Sequence, residues 1–325
     1  MCTAMHIGGN LPLFGRTLDL ERSMNERVVF APRGYRFSYH EKGERSHYAL
    51  LGVAHVFAGA PFYFDAVNEK GLAAAALNFL GCAVYQPPRD GAENIPSFAL
   101  ISRVLGECAT LGEARAFLEK VNITGESAAR ELPATPLHWL IADSTGAIAV
   151  EPLAEGLRVF ENPFGVLTNA PPFSYHATHL ADYSGLSANP PENKLCKGTE
   201  LPFYARGLGA VGLPGDFASA SRFVRAVFVK NQTTEPQTER GAVSQFFHLL
   251  GAVSVPEGAI VTEEGRAVKT VYTACADLKN VNYYFTTYQN CRIRAISMSD
   301  LPLDSKRLLM FEMAGEEDVE RLLPI

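Results

Sequence analysis

Residues 1–19 read MCTAMHIGGNLPLFGRTLD and determine how the fold begins. Two short apolar runs, Cys2–His6 and Leu13–Leu18, flank Gly8-Gly9-Asn10, a combination typical of strands joined by a turn. We therefore predict an antiparallel meander that begins at residue 2. A cysteine then lies at the very start of the first strand.

Removal of Met1 by an aminopeptidase would leave Cys2 with a thiol and a free α-amine. A free α-amine has a pKa of about 7.7–8.0 and can act as a base near neutrality. A free thiol is only a few per cent ionised at pH 7, and a nearby guanidinium favours its anion. Cys2 is therefore a candidate nucleophile, although a small apolar filler is the open alternative.

Arg16 and Asp19 are charged residues at the end of the second apolar run. Buried charges need partners, so the pair suggests a site. Positions three apart on a regular strand face opposite sides, and we expect the strand to bend or end near Leu18 so that both reach one site. A structural ion pair or two solvent-exposed charges remain possible.

Two asparagines and one further arginine complete the candidate set. Asn78 closes the apolar run that starts at Leu72, and Asn169 follows Gly165–Thr168. Their amides could stabilise the oxyanion of a tetrahedral intermediate, although asparagine also commonly ends strands. Arg222 lies just inside a helix that Ser219 could cap, where an arginine opposes the helix dipole and calls for an acidic partner or a function. A surface arginine is the alternative.

The rest of the chain predicts two antiparallel sheets with helices outside, an α+β fold in one domain over 1–325. We expect the first 80 residues to form the meander and a second sheet to follow near residues 138–161. Predicted strands cover Cys2–His6, Leu13–Leu18, Arg27–Ala31, Tyr48–Val56, Pro61–Val67, Leu72–Asn78, His138–Ala142, Ala147–Pro152, Leu157–Glu161, Val271–Ala276, Tyr283–Tyr288 and Arg292–Met298. Predicted helices cover Ser97–Cys108, Leu111–Val121, Phe173–Tyr183, Ser219–Lys230 and Glu239–Val253.

Composition narrows the possible partners. The 325 residues carry 29 basic and 35 acidic side chains without a basic block, so we expect no nucleic-acid binding. No apolar run approaches the roughly 20 residues that span a bilayer, and no signal peptide is evident, so a cytoplasmic protein is expected. The six cysteines suggest free thiols in a reducing compartment, and the eight histidines show no metal-ligand spacing.

Several motifs together resemble the choloylglycine hydrolase family, and most closely its bile-salt-cleaving branch. The likeness runs in order from residue 1 to about residue 300 and so covers nearly the whole chain. It is carried by Met1-Cys2-Thr3, Phe14-Gly15-Arg16-Thr17-Leu18-Asp19, Asp65-Ala66-Val67-Asn68-Glu69-Lys70-Gly71, Leu77-Asn78-Phe79, Leu137-His138-Trp139, Leu167-Thr168-Asn169, Gly212-Leu213-Pro214-Gly215-Asp216, Ser221-Arg222-Phe223-Val224-Arg225 and Phe246-Phe247-His248-Leu249-Leu250-Gly251.

The resemblance implies a four-layer αββα sandwich of the N-terminal-nucleophile hydrolase type. It also implies hydrolysis of glycine- or taurine-conjugated bile salts, without metal or organic cofactor, by a bacterial homotetramer. By the same resemblance Cys2 is the nucleophile, Arg16 lies against its sulfur, Asp19 binds the freed amine, Asn78 and Asn169 contact the oxyanion, and Arg222 supports this network.

The substrate is the least determined part of this expectation. Leu18, Phe57 and Phe64 are candidates for the sterol pocket, and each would serve equally well in the core. Penicillin V acylase belongs to the same family, but that branch typically carries tyrosine where this chain has Asn78. Acyl-homoserine lactones are a third substrate class, and an inactive protein that binds sterols or fatty amides is the non-enzyme alternative.

Overall fold

The computed structural model describes residues 1–39, 47–313 and 315–324. Within this part of the chain it contains five α-helices: α1 Leu100–Glu107, α2 Leu111–Leu118, α3 Phe173–His179, α4 Ser219–Gln232 and α5 Glu239–Gly251. The strands are β1 Cys2–Ile7, β2 Leu13–Leu20, β3 Glu26–Ala31, β4 Leu50–Phe57, β5 Ala60–Asn68, β6 Ala73–Asn78, β7 Glu93–Pro96, β8 Val121–Thr124, β9 Leu137–Asp143, β10 Gly146–Leu153, β11 Gly156–Glu161, β12 Val166–Leu167, β13 Ile260–Val261, β14 Ala267–Asp277, β15 Asn282–Thr287, β16 Asn290–Ser297 and β17 Leu309–Phe311.

Most strands belong to two antiparallel sheets. The seven-stranded sheet has the order β12-β1-β2-β14-β15-β16, with β13 paired to β14. The eight-stranded sheet has the order β11-β10-β9-β6-β5-β4-β3-β17. The short pair β7 and β8 is parallel and separate from both.

The expected meander from residue 2 is therefore wrong in one respect. The β1–β2 hairpin belongs to the seven-stranded sheet, and the chain then crosses to the other sheet, where β3 to β6 form the meander. The expectation of a second sheet near residues 138–161 is also wrong, because β9 pairs with β6 and extends the same sheet. The two faces of β1 and β2 are both buried, so no alternation in their sequence reveals which sheet they join.

Helices cover the outer face of each sheet. Helices α4 and α5 pack on β1, β2, β12 and β14, and helices α1 and α2 pack on β4, β5, β6 and β9. One buried apolar cluster fills the space between the sheets and below α4 and α5, and a second lies under α1 and α2. The predicted αββα sandwich of two antiparallel sheets is confirmed. None of the helices in the described ranges is long and apolar enough to cross a membrane.

Side-chain caps mark the start of two of the five helices in the described ranges, α2 and α5. The Thr110 side chain accepts from the Glu113 amide at the start of α2, as its capping sequence predicts, but α2 ends at Leu118 and Val121 opens β8. The expectation that Ser219 caps α4 is wrong. The N-cap is Ala218, and the Ser219 hydroxyl instead bonds to the segment around Asn169.

Gly15 allows the centre of the seven-stranded sheet to close. A Cβ at this position would lie 2.0 Å from the Ala274 carbonyl oxygen on β14 and 2.8 Å from the Phe246 ring on α5. Only glycine lets β14 and α5 approach β2 this closely. Residues 16–19 follow on the same strand. One face of this segment lies between the two sheets, and the other face lies below the helices.

Candidate active site

The Cys2 thiol lies against the guanidinium of Arg16. Arg16 Nη2 donates to Cys2 Sγ at 2.5 Å, and Cys2 is 3% exposed. Cys2 pairs with Leu18 on β2, and paired residues point to the same face of a sheet, so the thiol faces the core between the sheets. A cation at this distance from a buried thiol favours the thiolate.

Main-chain carbonyls hold the Arg16 guanidinium in place. Arg16 is fully buried and reaches across to the eight-stranded sheet, where Nη1 donates to the oxygens of Ala76 at 2.6 Å and Phe64 at 3.1 Å. Its Nε donates to the Thr17 carbonyl at 3.2 Å. With these bonds in place, the remaining donors of Nη2 are directed at the Cys2 sulfur.

Arg16 and Asp19 approach Cys2 from opposite faces of the sheet. The expected bend or end of the strand near Leu18 is wrong, because β2 continues to Leu20. Arg16 lies on the face between the sheets and Asp19 on the face below the helices, where its carboxylate accepts from Thr270 Oγ1 at 2.7 Å. Arg16 and Asp19 can both lie next to Cys2 because Cys2 is the first residue of its strand. Its thiol points to one face of the sheet, and its nitrogen lies at the end of the strand.

Met1 extends the ladder beyond Cys2. Its amino group donates to the Asp19 carbonyl at 2.6 Å, and the Asp19 amide donates to the Met1 carbonyl at 2.9 Å. Removal of Met1 would break both bonds and turn the Cys2 nitrogen into an amine beside Asp19. The contact between the Asp19 carboxylate and that amine stays a prediction.

Asn169 holds the nitrogen of Cys2. Its Oδ1 accepts from the Cys2 nitrogen at 2.9 Å and from Arg222 Nη2 at 2.7 Å, while its Nδ2 donates to the Asn78 carbonyl at 2.7 Å. In this geometry the amide oxygen of Asn169 faces the nucleophile's own nitrogen. An additional contact from Asn169 to a substrate oxyanion remains a prediction.

Asn78 ends β6 beside the same amide. Its Oδ1 is buried without a hydrogen-bond partner among the described residues, and the residue as a whole is half-buried. Oxygen and nitrogen of a side-chain amide are assigned from the bonds they make, so either orientation is compatible with these neighbours. A substrate oxyanion could therefore accept from Nδ2, as the resemblance implies.

Arg222 reaches the site from α4 in the helical layer. It is fully buried, and Nη1 donates at 2.6 Å to both the Cys2 carbonyl and Thr3 Oγ1. Burial lowers the pKa of Arg222, and attraction to Asp19 opposes that effect. The hydrogen-bond partners of this first-turn arginine are therefore the main chain at Cys2, Thr3 and Asn169, in place of the expected acidic side chain.

The three pocket candidates differ in position. Leu18 is buried in register with Cys2, and the half-buried Phe64 packs on the core while its carbonyl bonds to Arg16. Phe57 ends β4 and stacks on His55, about 13 Å along β5 from Phe64 at the usual strand rise. None of these placements tests a sterol contact, so the three residues remain predictions.

Sequence reasoning missed a buried carboxylate between the sheets. Asp65 on β5 is 2% exposed and accepts from the hydroxyls of Tyr272 and Tyr283 on the other sheet. The detectable signal was a charged residue inside the apolar run Pro61–Val67. The two tyrosines, more than 200 residues away, gave no sequence signal for this contact.

A second missed group supports the Asn169 segment. His138 contacts the Thr168 carbonyl at 2.9 Å and Glu151 at 3.0 Å, with both side chains fully buried. The His138 ring also stacks on Phe79, the neighbour of Asn78, at 4.1 Å between centroids. These contacts support the residues next to both predicted asparagines.

Two antiparallel sheets between helical layers, with a cysteine opening the first strand, define the class of N-terminal-nucleophile hydrolases. The family model described as linear amide C–N hydrolases, choloylglycine hydrolase family, matches residues 2–311. The chain therefore belongs to the choloylglycine hydrolase family and is an amide hydrolase. The resemblance read from the sequence motifs is confirmed.

Individual relatives agree over nearly the full length. The chain is 39% identical over 317 residues to the bile salt hydrolase/transferase of Lactiplantibacillus plantarum, covering 97% of this chain and 98% of that protein. A variant of the conjugated bile acid hydrolase from Clostridium perfringens superposes with a TM-score of 0.92 at 35% identity, covering 99% and 100% of the two chains. The penicillin V acylase of Agrobacterium tumefaciens, at a TM-score of 0.75 and 23% identity over 95% and 90%, shares the fold.

Proposed function

We propose that this protein hydrolyses the amide bond of glycine- or taurine-conjugated bile salts with Cys2 as nucleophile. The observation that carries the proposal is the pair of contacts on Cys2. Arg16 holds the thiol at 2.5 Å, and Asn169 holds the nitrogen of the same residue at 2.9 Å. Nucleophile and base are thereby fixed relative to each other before substrate binds.

The reaction follows from these positions once Met1 is removed. The Cys2 thiol gives its proton to the α-amine, and the thiolate attacks the amide carbonyl carbon, whose oxygen becomes an oxyanion near Asn78. The C–N bond then breaks, and the α-ammonium passes its proton to the leaving glycine or taurine. Water, deprotonated by the same amine, attacks the thioester carbonyl and releases the bile acid with the thiol regenerated.

Support for bile salts as the substrate comes from the named relatives and from Asn78. The Lactiplantibacillus plantarum and Clostridium perfringens proteins are named for bile salt or conjugated bile acid hydrolysis. Asn78 stands where the penicillin-cleaving branch typically carries tyrosine, and its main-chain carbonyl accepts from the Asn169 amide that also holds the Cys2 nitrogen. A non-catalytic binder would not need Cys2, Arg16 and Asn169 in contact.

A side-by-side rate comparison tests the substrate. We expect kcat/KM of the protein lacking Met1 to be at least about 10-fold higher on glycocholate or taurocholate than on penicillin V, because a pocket shaped for one acyl group discriminates by this order. An acyl-homoserine lactone serves as the third substrate. Equal or faster turnover of penicillin V or the lactone would replace the bile salt proposal, and binding of cholate without any hydrolysis would identify an inactive binder.

The proposal includes a homotetramer in the bacterial cytoplasm. All six cysteines are free thiols, which suits a reducing compartment. Val319, Leu322 and Leu323 near the C-terminus expose 76–87% of their surface, and contact between copies would bury such apolar groups. We expect light scattering to give four times the chain mass of 35.4 kDa. A monomer at micromolar concentration would contradict this assembly.

A further inference from the structure

Asp65 places a carboxylate in an apolar region between the two sheets. Its neighbours across the ladder are Val53 on β4 and Ala75 on β6, and both lie in the buried cluster between the sheets. A buried carboxylate is costly unless hydrogen bonds and a cation compensate it. The partners of Asp65 therefore determine whether its charge can be kept in this region.

Two tyrosines clamp the carboxylate. Tyr272 on β14 donates to Asp65 Oδ2 at 2.5 Å, and Tyr283 on β15 donates to Oδ1. Burial raises the pKa of both tyrosines well above the ordinary value, with Asp65 adding to the effect, so both hydroxyls keep their protons and act as donors. Two donors, one on each oxygen, fit the ionised form of Asp65.

The compensating cation is Arg16. The guanidinium donates to the main-chain carbonyl of Phe64, the residue directly before Asp65, so it lies in the same buried region as the carboxylate without bonding to it. Burial raises the pKa of Asp65 above its ordinary value, and attraction to Arg16 together with the two tyrosine bonds offsets only part of that rise. Burial alone would lower the pKa of Arg16, but attraction to Cys2, Tyr272, Asp65 and Asp19 raises it.

The charged groups around Cys2 balance in number. Arg16 and Asp65 lie on the face between the sheets, and Arg222 and Asp19 lie on the helical side, so two buried cations meet two buried anions. Transfer of the Cys2 proton to its α-amine leaves the net charge of these groups unchanged. The titratable and charged groups that surround the thiol are thus Arg16 and Asp19 from β2, Asp65 from β5, Tyr272 from β14, Tyr283 from β15, Arg222 from α4 and the α-amine of Cys2.

We propose that Asp65 is a positioning residue that moderates the charge of Arg16 at the Cys2 thiol and is held in place for this purpose by Tyr272 and Tyr283. This inference rests on the proposed role of Cys2 as nucleophile. A guanidinium without a counter-charge would hold the sulfur as a very stable thiolate. A thiolate loses nucleophilicity as it becomes less basic, with a Brønsted coefficient of about 0.4–0.5, and it attacks best when it ionises near the working pH. Asp65 supplies the counter-charge that limits this effect of Arg16.

The test is the pH dependence of Cys2 alkylation by iodoacetamide, followed by mass analysis of the N-terminal peptide. In Asp65→Asn the midpoint of rate against pH should move down by about one pH unit, a ten-fold gain in thiolate at a fixed acidic pH. The plateau rate should fall about three-fold because the thiolate is less basic. A merely structural role would misalign Arg16 and move the midpoint up or leave it in place.

Two further variants complete the design. Tyr283→Phe removes one clamp and should shift the midpoint in the same direction by a smaller amount, which decides the question if Asp65→Asn does not fold. Asp143→Asn is the matched control, since Asp143 is a buried carboxylate that accepts from the first amide of α2 and lies against His6, four residues along β1 from Cys2 and so about 13 Å away at the usual strand rise. In the Asp143→Asn variant the midpoint of alkylation rate against pH should not move.

Each outcome has a definite reading. An unchanged or raised midpoint in the folded Asp65 or Tyr283 variant overturns the inference, and so does an equal shift in the Asp143 control. Alkylation requires no substrate, so these results hold whichever amide is cleaved. If the unmodified enzyme does not hydrolyse glycocholate or taurocholate, the proposed function fails and the alkylation data still decide the role of Asp65.

Discussion

Cys2→Ala should lower amide hydrolysis by at least about 10⁴-fold, because removal of a nucleophile abolishes the covalent route altogether. The thiol is buried beside Arg16, and its loss leaves a cavity of a single atom. The free energy of unfolding should therefore change by only about 1 kcal/mol. Steady-state release of glycine from glycocholate measures the first effect, and thermal unfolding measures the second.

Cys196→Ala is the matched control for this loss, since Cys196 is exposed in the loop between α3 and α4. Its activity should equal that of the unmodified enzyme. Intact mass adds an independent check, because the mechanism needs a free α-amine on Cys2 and active protein should therefore lack Met1. More than about 1% residual activity in Cys2→Ala would exclude the thioester route. Full activity in protein that retains Met1 would exclude the amine as base.

The order of the longer strands and of the helices was predictable from the sequence because apolar runs and turn residues mark them, but the short strands β7, β8, β12, β13 and β17 were not predicted. The assignment of each strand to one of the two sheets was not predictable. Strands β1 and β6 are almost continuously buried, one between β12 and β2 and the other between β5 and β9. Such strands carry no alternation that identifies a sheet face. The crossing after β2 is consequently visible only in three dimensions.

The contacts of the candidate site were likewise predictable only in part. The placement of Arg16 against the Cys2 sulfur was expected from the family resemblance, and the register of the first hairpin, which pairs Cys2 with Leu18, agrees with it. The Asp65 contacts were not, since Tyr272 is 207 residues away in sequence and tyrosines are ordinary core residues. Buried charges inside apolar strands were the available signal, and they indicate a site without identifying its partners.

Arg16→Met is expected to reduce both stability and activity. The variant keeps a long apolar side chain but leaves the buried Asp65 carboxylate without the cation that attracts it, and an uncompensated buried charge costs about 3–5 kcal/mol of unfolding free energy. The Cys2 thiolate also loses a contact at 2.5 Å. A neighbouring opposite charge favours the ionised form by about 10- to 1,000-fold, so kcat/KM at neutral pH should fall by about that factor and recover partly as pH rises.

A double variant separates these two effects. In Arg16→Met/Asp65→Asn both buried charges are gone, so much of the lost unfolding free energy should return, while kcat/KM stays as low as in Arg16→Met because the thiolate still has no guanidinium. Arg225→Met controls for loss of a buried arginine, since Arg225 on α4 bonds to the carbonyls of Pro214, Asp216 and Ala252 and not to Cys2. That variant should lose stability with little change in the shape of its pH profile. Recovery of activity along with stability in the double variant would mean that Arg16 serves to neutralise Asp65, and that the thiolate does not depend on its charge.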